Sequence, residues 1–278
     1  MLQLGRYNTL TITRFTDHGA YVDGGEAGEI LLPKSYVRPE MRPGDSLSLF
    51  VYLDQQERLV ATTERPLAQV GDFAFLQVAW VNEYGAFLHW GVMKDLFVPF
   101  REQRRTMQIG ESYIVHIYID EETGRLAATA KIEPFLRPAS SHAYHRGQEV
   151  DILVWKRTEH GLKVIVDNAH SGLIYNEFIY GVEPRTGQRL RATVIDVRPD
   201  GRLDISLQRL GKGRFRDFAE DLLEALRAAG GFLPFTDKSA AEVIAERFAV
   251  SKKTFKRAVG TLYKERIITL SDDGIHLV

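Results

Sequence analysis

Cysteine is absent from this sequence of 278 residues. Disulfides, thiolate metal sites and cysteine nucleophiles are therefore excluded, and the composition suits a reducing compartment. No apolar run approaches the ~18–20 residues needed to cross a bilayer. The first residues, MLQLGRYNTL, lack the basic and apolar stretches of a secretory leader. A cytoplasmic protein without a membrane partner is the expectation. A charge excess is missing as well: 36 Lys and Arg stand against 37 Asp and Glu, for a net charge of −1. Any site for a polyanion must come from local patches.

Catalytic signatures are equally scarce. The chain has no GxxxxGK[ST] phosphate loop, no GxGxxG after a strand and no GxSxG nucleophile elbow. Of the eight histidines, His142 and His145 come nearest to ligand spacing, but no carboxylate accompanies them. Asp120-Glu121-Glu122 falls where a hairpin turn is expected, and acidic residues need no further reason there. The expectation is a protein that is not an enzyme and carries neither metal nor cofactor.

What the sequence does have is a repeat. Gly5, Gly71 and Gly147 open three similar segments, and Gly19, Gly85 and Gly161 follow 14 positions later in DHGAYV, EYGAFL and EHGLKV. Another 14 positions reach the end of a short apolar run, at Pro33, Pro99 and Tyr175. Gly44, Gly110 and Gly187 come next, and RLVAT, RLAAT and RLDIS begin at Arg58, Arg125 and Arg202. Five landmarks in register over three segments place a repeated module in the chain.

Each unit reads as β throughout: short alternating runs such as Thr11–Phe15, Ala20–Asp23, Leu47–Leu53 and Leu59–Thr62, bounded by Gly, Pro and Asp. Five such strands fit a small closed Greek-key barrel of the OB type, which leaves no free sheet edge. The fold class expected is mainly β with a C-terminal α/β domain. Barrels would occupy 1–66, 67–137 and 146–210, and a winged helix-turn-helix 213–278. The segments PLAQVG and PFLRPASSHAYHRG read as linkers that leave the angles between barrels open.

GAYV, GAFL, SGLIY and DGRLDISL resemble the S-one RNA-binding domain, a subfamily of the OB fold. That family carries a histidine where Pro33, Pro99 and Tyr175 stand here. Three such domains followed by a winged helix resemble the bacterial conserved virulence factor B family. The resemblance implies RNA binding and post-transcriptional control of gene expression, including virulence genes. By register it implies nucleotide contacts at His18 and Tyr21, at Tyr84 and Phe87, and at His160 and Lys163. Polar contacts would come from Asp54 and Arg58, Asp120 and Arg125, and Arg202.

Strand alternation points the same way from the residues alone. In Gly85-Ala-Phe-Leu-His-Trp, Ala86 and Leu88 face the barrel interior, so Phe87 and His89 face out. Tyr21 and Lys163 are the equivalent outward positions, and Arg14, Trp80 and Lys156 align five residues before each glycine. Trp80 and Trp155 are read equally well as core or as stacking platforms. Single-stranded nucleic acid needs flat π surfaces for bases and cations for phosphates, and this set offers both, with Tyr175 beside it. Residues 1–66 and 67–145 each hold 7 Lys and Arg against 9 Asp and Glu, whereas 146–210 hold 10 against 9 and 211–278 hold 12 against 10. The third barrel and the C-terminal domain are the stronger electrostatic footprint.

Past Gly211 the apolar period changes from two to 3.6 in Phe215, Phe218, Leu222, Leu223 and Leu226, ending at Gly230-Gly231. A second helix is expected from Ser239 to Phe248, with Ser239 and Glu242 as a capping box. The turn Ala249-Val250 leads to a third helix capped by Ser251, with Phe255, Val259 and Leu262 inward. Lys252, Lys253, Lys256 and Arg257 then face outward as a basic recognition surface. IITL-SDDG-IHLV reads as a two-stranded wing.

The leading reading is a monomeric, non-enzymatic protein that binds single-stranded RNA, with the ribosome or RNA-degradation machinery as further partners. A DNA-binding transcription regulator and a protein-interaction scaffold remain as alternatives.

Overall fold

The computed structural model describes residues 2–179, 184–207, 212–236, 238–248 and 250–278, with the backbone alone at 177 and 212–217. The chain divides into two compact units, residues 1–135 and 136–278.

The first unit holds two closed five-stranded barrels. Barrel 1 consists of β1 (Arg6–Thr16), β2 (Gly19–Asp23), β3 (Glu29–Pro33), β4 (Ser46–Leu53) and β5 (Leu59–Thr62). Barrel 2 repeats it with β6 (Phe73–Val81), β7 (Gly85–His89), β8 (Leu96–Pro99), β9 (Ser112–Ile119) and β10 (Leu126–Thr129). In both, the order around the barrel is first, second, third, fifth, fourth strand, and the first and fourth strands close the ring. The second unit begins with a third barrel of the same order: β11 (Glu149–Thr158), β12 (Gly161–Val166), β13 (His170–Tyr175), β14 (Arg189–Val197) and β15 (Leu203–Ser206).

The repeated landmarks are the joints of this fold. Gly5, Gly71 and Gly147 each take a positive φ and donate their N–H to a fourth-strand carbonyl, Val51, Ile117 and Val194, each at 2.8 Å. Gly44, Gly110 and Gly187 tie the strands in the other direction, donating to Ile12, Val78 and Val154 on the first strand. Gly19, Gly85 and Gly161 pair across the sheet with Pro33, Pro99 and Tyr175. There a Cβ would stand only 2.1, 2.3 and 1.9 Å from the carbonyl oxygens of Leu32, Val98 and Ile174. Close backbone approach is thus what all three share. The carbonyls of Arg58, Arg125 and Arg202 accept the N–H of Asp54, Asp120 and Arg198 and close the last hairpin of each barrel.

Alternation holds along the second strands. Ala20, Val22, Ala86, Leu88, Leu162 and Val164 are buried in the barrel interiors, each large aliphatic stabilising by roughly 1.5–3 kcal/mol. The segment PLAQVG is not a free linker. Val70 N–H donates to the Gly5 carbonyl, Leu67 N–H to the Trp90 carbonyl, and Ala68 is buried. Phe50 and Tyr52, on the outside of barrel 1, join Trp90 and Ala68 in one hydrophobic cluster with the interior of barrel 2. The segment PFLRPASSHAYHRG also departs from expectation. Arg137 and Ala139 hydrogen-bond to Ala169 and Gly201 of barrel 3, and the buried Tyr144 donates to Asp167 at 3.0 Å. Ala68 and Val70 of the first segment and Ala139 and Tyr144 of the second are withdrawn from water into the neighbouring barrels.

The C-terminal part comprises α1 (Lys212–Ala228), β16 (Phe232–Leu233), α2 (Ala241–Phe248), α3 (Lys252–Lys264), β17 (Ile268–Leu270) and β18 (Ile275–Leu277). Phe218, Leu222, Leu226, Ile244, Phe255, Ala258 and Leu262 form its core. The Phe215 side chain and Ala249 lie outside the described residues. Ser251 caps α3, accepting the Thr254 N–H at 2.9 Å. Ser239 does not cap α2. The helix opens at Ala241, with Ile244 N–H bonded to the Ala240 carbonyl, while the Ser239 hydroxyl accepts from Thr236. The wing gains a third strand, since β16 pairs with β18. No helix among the described residues is long and apolar enough to cross a membrane.

Two predictions test these joints. Gly85→Ala forces a Cβ against the Val98 carbonyl and should lower stability by at least ~2 kcal/mol. Gly110→Ala, with open space around it, should lose only the ~1–2 kcal/mol of a left-handed non-glycine residue. Urea unfolding of both variants decides this.

The second concerns His116, buried between the rings of Phe73 and Phe135, 4.7 and 4.1 Å away, with no partner for Nδ1 among the described residues. Burial pulls its pKa down to about 4, against a smaller opposing effect of Asp72. The unfolded chain takes up a proton below the ordinary 6.5 that the folded chain refuses until about 4. Stability is full above that window and drains as pH falls through it, by roughly 3 kcal/mol in all. His116→Phe should flatten this decline in unfolding midpoints taken from pH 7 to pH 4.5.

Candidate nucleic-acid interface

In every barrel the first strand carries a bulge, between Ile12 and Arg14, Val78 and Trp80, and Val154 and Lys156. A bulge re-aims the residue that follows it. That residue then stands opposite the outward residue of the second strand: Arg14 opposite Tyr21, Trp80 opposite Phe87, Lys156 opposite Lys163. One backbone position thus bears three different surfaces.

In barrel 2 it is an aromatic platform. The rings of Trp80 and Phe87 lie face to face, 3.6 Å between centroids and 3° apart, and Phe97 on β8 continues the tier at 4.9 Å. The Trp80 indole N–H donates to Asp95 at 2.9 Å. His89, exposed, stands 3.8 Å from the same carboxylate. Tyr84, at the tip of the β6–β7 turn, is 66% exposed, and Phe100 also reaches solvent. Tyr84, Phe87, Phe97 and Phe100 line a cleft of about 730 Å³, with Lys94, Arg101 and Arg125 also on its walls.

In barrel 1 the platform is covered by its own cation. The Arg14 guanidinium lies 4.1 Å from the Tyr21 ring centre and bonds Glu29 through Nε and Nη2. The Arg14 hydrogen bond lowers the Glu29 pKa. Glu29 and Asp95 both sit ten residues after the repeated glycine, and each holds the side chain that follows the bulge. His18 is exposed in the turn before β2, and Arg58, also exposed, pairs with Asp54 at 2.7 Å.

In barrel 3 the position is cationic. Trp155, which sequence leaves open between core and platform, is buried, only 6% exposed. The Lys156 and Lys163 ammonium groups converge over its ring at 4.3 and 5.7 Å. His160 is exposed, Tyr175 is half-buried with the Arg198 guanidinium 5.5 Å from its ring, and Arg202 bonds Asp200 through Nε at 2.7 Å. On α3, Lys253, Lys256 and Arg257 are exposed and Lys252 half-buried, opposite the buried Phe255, Ala258 and Leu262.

The structure therefore gathers Trp80, Tyr84, Phe87, His89 and Arg125 on one flank of barrel 2. The arginines expected at the last hairpins all project, each against a carboxylate. Sequence reasoning missed Phe97, Phe100 and Asp95, since DLFVP reads first as an apolar landmark. The shared spacing of Glu29 and Asp95 is the signal that could have found the acid. Among the described residues no group of three His, Asp or Glu is placed to hold a metal.

The family models that match this chain agree with this architecture. Residues 4–64 and 70–131 match a family model described as S1 domain. Residues 137–209 match one described as virulence regulatory factor CvfB, second domain, and 220–277 one described as CvfB-like winged helix domain. The protein YitL of Bacillus subtilis (strain 168) is 30% identical over 269 residues, covering 94% of this chain and 89% of the relative. Conserved virulence factor B of Staphylococcus aureus (strain N315) is 27% identical over 86% of this chain and 81% of its own. A multidomain protein with nucleic acid binding domains from Streptococcus pneumoniae is 25% identical, covers 99% of this chain and 98% of its own, and superposes with a TM-score of 0.42.

Three S1-type barrels, one with an open aromatic platform, joined to a winged helix define a multidomain nucleic-acid-binding protein. The matched modules are binding modules, not enzymes. Within that class, the chain belongs to the conserved virulence factor B family.

If Asp95 orients Trp80, Asp95→Ala should weaken binding of a single-stranded oligonucleotide by about 5-fold, the scale of one hydrogen bond removed. Asp95→Asn, whose amide oxygen still accepts from the indole, should bind within about twofold of the parent. Fluorescence anisotropy separates the two.

Proposed function

We propose that this protein is a non-enzymatic regulator that binds single-stranded RNA in the cytoplasm and acts after transcription. The observation that carries the reading is the Trp80–Phe87–Phe97 tier, exposed at Trp80 and half-buried at both phenylalanines, with the exposed Tyr84 at its edge. A stack of this kind receives any unpaired base, because every base has a π face, and each stacked base contributes roughly 1–3 kcal/mol. Bases inside a duplex are already stacked and cannot use it. His18, Tyr21, His160, Tyr175 and Arg202 are auxiliary contacts in this reading. Lys156 and Lys163 supply phosphate contacts, as do Lys252, Lys253, Lys256 and Arg257 on α3. The family description as a virulence regulatory factor supports a role in gene control.

A second reading has its own observation. The outward face of α3 carries Lys253, Lys256 and Arg257, the arrangement a winged helix uses in a DNA major groove.

Anisotropy titrations of labelled single-stranded RNA, duplex RNA and duplex DNA at ~50 and ~200 mM salt distinguish them. Single-stranded RNA should bind most tightly. Trp80→Ala with Phe87→Ala should cost at least ~10-fold. Lys163→Ala with Lys253→Glu should reduce the salt slope by about 1 for each phosphate no longer neutralised. Preference for one duplex DNA sequence, abolished in Lys253→Glu and indifferent to Trp80→Ala, would overturn the RNA reading in favour of the second.

A further inference from the structure

The cleft beside the barrel 2 platform is rich in rings and poor in available charge. Its three cations are each engaged. Arg125 on the β9–β10 hairpin forms an ion pair with Glu57, on the β4–β5 turn of barrel 1. Arg101 stands 3.5 Å from Asp120 and 3.9 Å from Glu102. The Lys94 ammonium donates to the Asp54 carbonyl at 2.8 Å, and its burial lowers its pKa. Against these cations, Glu57, Glu83, Asp95 and Asp120 put four carboxylates on the same walls. The lining carries more negative than positive charge.

A phosphate arriving at Arg125 must displace Glu57 and then lie beside the carboxylate it has displaced. Phosphate affinity arises largely from the release of counterions from the nucleic acid, as free protein cations take their place. Cations already engaged by carboxylates, or in the case of Lys94 by a backbone carbonyl, have little of that to offer. A base carries no charge and meets no such opposition, and its gain from stacking is unaffected by salt.

We propose, building on the reading of barrel 2 as a stacking platform, that this cleft is a base-only subsite. It takes the uncharged ring of a nucleotide as readily in its nucleoside as in its phosphorylated form, and Glu57 sets that preference by masking Arg125. Phosphates of a bound strand stay outside it, and the salt dependence of the whole protein comes from barrel 3 and the winged helix.

Trp90 lines the cleft and Trp80 stacks on Phe87, which also lines it, so tryptophan fluorescence reports a ring bound there. The full-length protein is titrated with adenosine and with AMP at ~50 and ~200 mM salt, following tryptophan fluorescence, with Trp80→Phe as the control for the source of the signal. Adenosine and AMP should quench with affinities within about twofold of each other at both salt concentrations. Glu57→Gln should leave adenosine unchanged and tighten AMP by about 5-fold at low salt, the scale of an exposed ion pair. Glu57→Gln combined with Arg125→Gln should abolish that gain.

AMP binding at least tenfold tighter than adenosine to the parent protein, or an AMP affinity indifferent to Glu57→Gln, overturns the proposal. Quenching by neither ligand, while single-stranded RNA still binds in a Trp80-dependent manner, also overturns the base-only subsite and leaves the platform standing. RNA binding that ignores Trp80 removes the underlying reading instead.

Discussion

The surfaces of all three barrels depend on one close passage of backbone over backbone. Where the second strand begins, its glycine lies so near a third-strand carbonyl that no side chain fits between them. This approach fixes where the second strand starts, hence which residue two positions later points outward. The bulge on the first strand then turns its own outward residue to face that one. Sequence is free to vary at the pair so long as the glycine and bulge remain. The three barrels use that freedom to present a covered tyrosine, an open aromatic tier and a pair of ammonium groups.

This unequal use gives one repeated fold three chemically different surfaces. Barrel 1 satisfies its pair internally, with Arg14 between Tyr21 and Glu29. Barrel 2 holds an indole by the same device, but a neutral N–H donor leaves a flat face where a guanidinium would have brought charge. Barrel 3 has Ser171 at the position of the acid and carries its cations over a buried indole. Stacking and charge, the two requirements of single-stranded nucleic acid, reside in different barrels.

Much of this was legible in the sequence, for a physical reason. Closure of a small barrel demands glycine at fixed distances, so the repeat of Gly5, Gly19 and Gly44 in three copies displays the fold directly. Strand alternation placed Ala86 and Leu88 inside and Phe87 outside. What stayed hidden were interactions between residues with no fixed spacing rule. Phe50 and Tyr52 read as ordinary strand residues, yet they leave their own barrel to pack with Trp90. Tyr144 reads as part of a spacer, because the carboxylate that receives it is 23 residues away. Ser239 resembles a helix cap in sequence, but its hydroxyl is taken by Thr236 and the helix opens after Ala240. Arg125 reads as a polar contact near the last strand, and no spacing announces its ion pair with Glu57 of the preceding barrel.

The shared aromatic cluster of the first two barrels also bears on how the chain is made. Barrel 1 has all its strands once Thr62 is synthesised, but Trp90 follows 28 residues later. At about 5–20 residues per second, Phe50 and Tyr52 wait on the order of 1–6 s before their covering arrives. During that interval a nascent, otherwise finished barrel shows an aromatic face to its surroundings. The first module is complete in topology before it is complete in surface, and elongation rate over residues 63–90 sets how long that gap stays open.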